Sequence, residues 1–333
     1  MPTTDSASPD VPPSGRLSPV DAPEVAFVFG LGRAITLSGP VARGELGEIR
    51  QLVTDRGSWA VKQDLDPLSP ADVARAEASA AFHHRCWEAG IPTPEPLPTR
   101  TGHFVAELGG EHVRAYSWVD LVDPDTSPDP GPVGELLARL HAVPAPPEGP
   151  VHDWFEAPIG EAEWKGLLKG SRAAGAPYAE RLGEVLPGLV EVESILTPMR
   201  AVQTCHLDLW SDNLRRTTAG ELCVIDFDSA GPADPSREVG MLLFELGQGE
   251  GARQRRLYDA YLEAGGPGLI TGPADFSLTV AQLHHIGHRH LTMWLAARDP
   301  EARARSLAGV EEFLGEPFLL ADVDRLVAEV AGS

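Results

Sequence analysis

Thr204-Cys205-His206-Leu207-Asp208-Leu209-Trp210-Ser211-Asp212-Asn213, followed after a short strand and turn by Val224-Ile225-Asp226-Phe227-Asp228, decides the reading of this 333-residue chain. The two runs flank a turn sequence at Ala219-Gly220. If the turn centres there, antiparallel pairing sets Asn213 opposite Asp226 at the open end of a hairpin, with Asp208 on the loop just before it. An amide oxygen and a carboxylate side by side, with a third acid close by, form the hard oxygen donor set that suits Mg²⁺ beside a nucleotide.

Outward from this stretch the pattern is helical on both sides. Leu136, Leu137, Leu140 and Val143 recur at helix-face spacing. Further helices are expected at 160–174, 178–196, 236–247, 252–264, 275–297, 301–313 and 318–331. Towards the N-terminus the period changes. Ala34–Gly39, Glu48–Thr54 and Trp59–Gln63 read as strands, the last two joined by the turn sequence Asp55-Arg56-Gly57-Ser58. Residues 70–89 read as a helix opened by Pro70 and stopped by Gly90. A proline-spaced linker, Ile91–Pro96, leads to two more strands, His103–Leu108 and Val113–Val119. The fold class expected is α+β. Residues 23–119 make a small lobe of five antiparallel strands, beginning near Val25, with one helix. Residues 120–333 make a larger, mainly helical lobe, and the Pro- and Ser-rich residues 1–22 read as a disordered arm.

Composition narrows the function classes. Twenty-seven basic against 49 acidic residues give a net charge of −22 and a pI near 4.8, which excludes nucleic acid or an anionic membrane as the main partner. The same charge suits a cationic small molecule. Three cysteines, Cys86, Cys205 and Cys223, match no zinc or disulfide spacing and fit a reducing cytoplasm. No charged n-region followed by an apolar h-region opens the sequence, and no apolar run of about 18 residues interrupts it. A cytoplasmic monomer is the expectation.

On His206–Asn213 and Ile225-Asp226-Phe227, the chain resembles the aminoglycoside phosphotransferase and choline kinase-like family, small-molecule kinases with the protein-kinase-like fold. The resemblance extends from about residue 24 to about residue 315. It implies that Asp208 takes or orients the proton of a substrate hydroxyl, that Asn213 and Asp226 hold Mg²⁺, and that His206 braces the loop. Asp228 is a supporting acid, whereas Asp212 reads as a cap or a solvated side chain. In Trp59-Ala60-Val61-Lys62-Gln63, Lys62 resembles the family's phosphate-pairing lysine, with Glu77 on the next helix as its partner ahead of Glu88. The loop Arg43-Gly44-Glu45-Leu46-Gly47-Glu48 offers Gly44 and Gly47 for an arch of backbone N–H groups over phosphates, or a tight hairpin turn. Ser117 and Val119 fall where the family's backbone hydrogen-bonds the purine. Asp234, Arg237 and Glu238 lie where the family has an acid that supports the catalytic loop, commonly Asp rather than Glu.

The implied reaction is transfer of the γ-phosphate of ATP or GTP to the hydroxyl of a polar or cationic small molecule, an aminoglycoside-like antibiotic or a metabolite. Choline or an amino sugar is an alternative acceptor, and a nucleotide-binding module without turnover is an alternative class. Only eight residues separate Asp226 from Asp234, too few for a peptide-docking segment. His284 and His288 stand four apart, but no third ligand is spaced with them, so they read as surface or packing residues. Glu263, Glu311 and Glu312 could receive an ammonium group or simply face solvent.

Overall fold

The computed structural model describes residues 22–43, 47–65, 67–247 and 249–330. Its internal contacts divide the chain after Leu121 into two units.

In the N-terminal unit, β1 (Ala34–Arg43), β2 (Gly47–Thr54), β3 (Gly57–Asp64), β4 (Pro96–Leu97), β5 (Ala106–Leu108) and β6 (Glu111–Ser117) build one antiparallel sheet. Its order is β1-β2-β3-β6-β4, with β5 also paired to β6. Six strands replace the five expected, because Pro96 and Leu97 of the linker pair with Tyr116 and Ala115. An edge position tolerates the proline, whose missing N–H a central strand would need. The β2–β3 turn is tighter than its sequence suggests: Thr54 pairs with Gly57, leaving Asp55-Arg56 as a two-residue connection.

Of the expected arm only Ala22 is described, and it begins a helix, α1 (Ala22–Val28). A β-prone run was expected from Val25, yet Val25 and Ala26 pack with Leu37, Leu52 and Val113 under the sheet. Burial of one helical face overrides the strand preference of valine. The second helix, α2 (Pro70–Glu88), is locally encoded. Ser69 and Asp72 form a reciprocal capping box, and Pro70 occupies the first turn, where its missing N–H costs nothing.

The C-terminal unit holds α3 (Pro130–His141), α4 (Glu161–Ala173), α5 (Ala179–Val192), α6 (Pro235–Gly247), α7 (Gly251–Glu263), α8 (Ser277–Ala296), α9 (Pro300–Gly315) and α10 (Leu320–Val330). Each falls where helical periodicity places it, although the helix expected to reach residue 196 gives way after Val192 to a 3-10 turn at Glu193–Ile195. Between α5 and α6 run four short strands, β7 (Gln203–Cys205), β8 (Leu214–Arg216), β9 (Leu222–Val224) and β10 (Gly231–Ala233). They pair as β8 with β9 and as β7 with β10. The second pairing closes the ends of the non-helical segment onto each other and was not expected from the sequence. Among the described residues no helix is long and apolar enough to cross a membrane.

Helices α3 and α7 meet at Gly134. A Cβ there would stand 2.2 Å from the Leu257 carbonyl oxygen and 3.0 Å from the Tyr261 nitrogen, both backbone atoms that cannot swing aside. This close approach sets His141, at the end of α3, beside Tyr261. We expect Gly134→Ala to destabilise the fold by about 1–3 kcal/mol, read from urea unfolding, despite alanine's better helix propensity.

Candidate active site

The His206–Asn213 loop leaves β7 at Cys205, which β10 holds opposite Gly231. His206, 1% exposed, faces the second run: its Nε2 lies 3.1 Å from the Ile225 carbonyl, and its ring packs 4.4 Å from that of Phe227. The Asp208 N–H donates to its Nδ1 at 3.3 Å. These partners require a proton on Nε2 and a lone pair on Nδ1. Burial agrees, pushing the imidazole below its ordinary pKa against the opposing pull of Glu238 and Asp226.

Leu207, between them, is one of two non-glycine residues at positive φ among those described, at +66°; Asp226 at +58° is the other. Such backbone persists only where its surroundings hold it. Its N–H donates to Glu238 of α6, and its carbonyl accepts from Gln282 Nε2 of α8 at 2.7 Å. Asp208 follows, half-buried. Asn213 reaches back to it, donating from Nδ2 to the Asp208 carbonyl at 2.8 Å and to Oδ2 at 3.1 Å. The short turn carrying Asn213 is anchored by Glu245, which accepts from the Ser211 N–H at 3.1 Å.

The hairpin register differs from the expected one by a residue. Leu214 pairs with Val224 and Arg216 with Leu222, so Asn213 stands opposite Ile225, whose N–H donates to its carbonyl at 3.0 Å. The turn is longer than a two-residue connection. Thr217 and Glu221 close it, and Gly220 takes φ +88°. Three-residue hairpin loops favour a glycine in this left-handed conformation. A one-residue slip in a regular ladder would turn Asp226 to the other face. Here the ladder ends at Val224, and the left-handed backbone at Asp226 redirects the chain. Asp226 is exposed; Asp228 sits half-buried in the turn that follows.

Glu238 is fully buried and belongs to a polar chain. The Gly268 N–H donates to the Tyr261 hydroxyl at 2.7 Å, and that hydroxyl lies 2.8 Å from His141 Nδ1. His141 Nε2 lies 2.7 Å from Glu238 Oε2, and Glu238 Oε1 takes the Leu207 N–H. Every member is satisfied if Tyr261 donates to Nδ1 and Nε2–H donates to the carboxylate. Burial alone would raise the Glu238 pKa, but the His141 hydrogen bond, the nearby imidazoles and the Leu207 amide together hold it below the ordinary value. Glutamate therefore fills the loop-supporting position. His141, Cys205 and Glu238 also bring three ligand atoms within 4.8 Å of one another. Both His141 nitrogens are already bonded, and burial, with the Glu238 charge, raises the Cys205 thiol well above its usual range. This cluster is a hydrogen-bonded brace rather than a metal centre.

In the N-terminal unit Lys62 is buried on β3, opposite Ile49 and Arg114. Gly47 makes room for it: a Cβ there would stand 2.9 Å from the Gln63 carbonyl oxygen and 3.3 Å from Lys62 Cε. Gly44 lies outside the described residues. Glu77 spends both oxygens on backbone, accepting from the Phe104 N–H at 2.9 Å and the Val105 N–H at 3.0 Å. Ser117 exchanges N–H and hydroxyl hydrogen bonds with Glu95, and Val119 lies half-buried just past β6.

The remaining polar residues have structural partners. Asp234 caps the Ser236 N–H, and Arg237 binds the Thr197 carbonyl. His284 pairs with Glu193 and His288 with Glu163, so the two histidines do not converge on one point. His141, Tyr261, Glu245 and Gln282 escaped the sequence reading. Apolar helical spacing is silent on which polar residue turns inward, and only the close α3–α7 contact pairs His141 with Tyr261.

The fold is of the kinase-like class. The chain belongs to the phosphotransferase enzyme family, whose sequence profile matches residues 40–273. A spectinomycin phosphotransferase solved with ADP and spectinomycin aligns over 94% of this chain and 99% of its own, with TM-score 0.67 and 11% identity. An aminoglycoside phosphotransferase from Alicyclobacillus acidocaldarius aligns over 95% and 98%, with TM-score 0.59 and 15% identity. At these identities the likeness is one of fold. An uncharacterized protein of Deinococcus radiodurans is 26% identical over 193 residues, 53% of each chain, so the match spans about half the length of that curated relative.

Glu238 gives a test with a defined sign. Its folded pKa lies below that of the unfolded chain, so its stabilisation is present above about pH 4.5 and is lost as pH falls through the folded value. Glu238→Gln must aim an NH₂ at a neighbouring donor. It should cost about 2–3 kcal/mol near neutral pH. The gap between wild type and variant should narrow from pH 6 to pH 3 in urea titrations.

Proposed function

We propose that this protein transfers the γ-phosphate of ATP or GTP to a hydroxyl of a small, polar or cationic acceptor of the antibiotic or metabolite kind. The observation that carries the reading is the Asp208–Asn213 pair: a half-buried carboxylate held by an amide whose NH₂ is already committed. That commitment leaves Asn213 Oδ1 as a hard donor, and Asp226 adds an exposed carboxylate, so the set fits Mg²⁺. Bound there, the ion would neutralise charge on the phosphates.

Asp208 orients the acceptor hydroxyl and takes its proton as the oxygen attacks phosphorus. Asn213 fixes one Asp208 oxygen and so aims the other. In the N-terminal unit, Lys62 is the residue suited to pairing with nucleotide phosphates. Positioning and charge neutralisation account for the catalysis, as expected for phosphoryl transfer. A spectinomycin phosphotransferase solved with ADP and an amicoumacin kinase solved with AMP-PNP support an adenine nucleotide. The charge of −22 favours a cationic acceptor, and three buried cysteines agree with a cytoplasmic setting.

The test is mass-spectrometric detection of a phosphorylated product from Mg-ATP or Mg-GTP with pooled aminoglycosides, other antibiotics, choline and amino sugars. We expect a product that Asp208→Asn reduces by roughly 10²-fold or more while nucleotide still binds. Asp226→Ala should abolish Mg²⁺-dependent nucleotide binding. Nucleotide binding without transfer to any acceptor or to water would instead identify a non-catalytic module.

A further inference from the structure

Directly before Asp208 stands a leucine in left-handed backbone, which its surroundings must hold in place. Three hydrogen bonds converge on the two peptide groups around Leu207. Glu238 accepts its N–H; on the next peptide plane, Gln282 donates to the carbonyl and His206 accepts the Asp208 N–H. The Leu207–Asp208 plane is thus pinned at both edges, which sets the direction in which the Asp208 side chain leaves the loop. His206 and Glu238 lie within or just after the motif. Gln282 comes from α8, 75 residues away in sequence.

Gln282 also carries a cost. It is 2% exposed, and its Oε1 has no hydrogen-bond partner among the described residues. A buried, unsatisfied amide oxygen is unfavourable, and an apolar side chain of similar volume would avoid it. Packing therefore gives no reason for an amide at this position, whereas the Leu207 carbonyl does. That carbonyl is buried with its residue, and without a donor it would gain by rotating towards water.

We propose that Gln282 is a positioning residue for phosphoryl transfer: its Nε2–H holds the Leu207 carbonyl and so keeps Asp208 aimed at the acceptor hydroxyl. The proposal rests on Asp208 being the residue that handles the hydroxyl proton. Gln282 touches neither nucleotide nor acceptor. Its loss acts on turnover through the loop and leaves nucleotide affinity unchanged.

The experiment compares wild type, Gln282→Met, Gln282→Glu and Asp208→Asn in the full chain. Two readouts are taken: amide hydrogen exchange of a peptide spanning residues 206–210, and ADP release from Mg-ATP with water or an identified molecule as acceptor. In Gln282→Met, with melting temperature and ADP binding close to wild type, exchange in that peptide should rise about tenfold, the equivalent of one lost hydrogen bond. The kcat should fall by about 10²-fold with the nucleotide KM unchanged, as misplacement of a reacting group predicts. In Gln282→Glu the carboxyl donates to the carbonyl only while protonated, a state its burial favours, so turnover should approach wild type at low pH and fall as rising pH ionises the group, a limb absent from wild type and from Gln282→Met. Unchanged exchange in Gln282→Met, or a Gln282→Glu profile parallel to wild type, overturns the proposal. Full turnover in Asp208→Asn would overturn the reading of Asp208 instead, with loop exchange still deciding whether Gln282 holds Leu207.

Discussion

The buried contact between the Glu238 carboxylate and the Leu207 amide is the constraint on which the rest of the C-terminal unit depends. A carboxylate removed from water is tolerated only when its oxygens are fully engaged. His141 serves one oxygen and the Leu207 N–H the other. Satisfying the acid therefore links α3, α6 and the loop at one point. Tyr261 and Gly268 extend the same chain of donors to α7 and the segment after it.

From that point the geometry propagates in both directions. Leu207 is held at positive φ, which sets the direction of Asp208, and Asn213 ties back to the same acid. The β8–β9 hairpin then carries the chain from Asn213 to Asp226 and Asp228 within a few residues. Buried polar networks of this kind are costly unless complete. This one is complete along Gly268, Tyr261, His141, Glu238 and Leu207. Towards helix α8 it ends in the unsatisfied Gln282 Oε1.

Much of the architecture is legible from local pattern because local physics dictates it. Helix α2 announces itself through Ser69, Pro70 and Asp72, and the helices after Pro130 through apolar spacing. Short elements are less legible. Helix α1 is too short for its own propensity to decide. The edge pairing of Pro96–Leu97 exists only because β6 offers a partner. The Asn213–Asp226 hairpin was legible as a hairpin, but its register turned on Gly220 taking left-handed backbone in a three-residue loop.

The sequence by itself determined the α+β class, the order of the longer helices and strands, and the spacing of His206, Asp208, Asn213 and Asp226, because these reside in patterns along a contiguous chain. Tertiary structure decided which distant side chains hold them. His141, Tyr261, Glu245 and Gln282 become relevant only when helix packing brings them inward, and that packing depends on contacts such as Gly134 against Leu257. Tertiary structure also gave Glu77 to the amides of Phe104 and Val105. Side-chain chemistry is written in one dimension; which polar group satisfies which buried partner is settled only when the helices close over them.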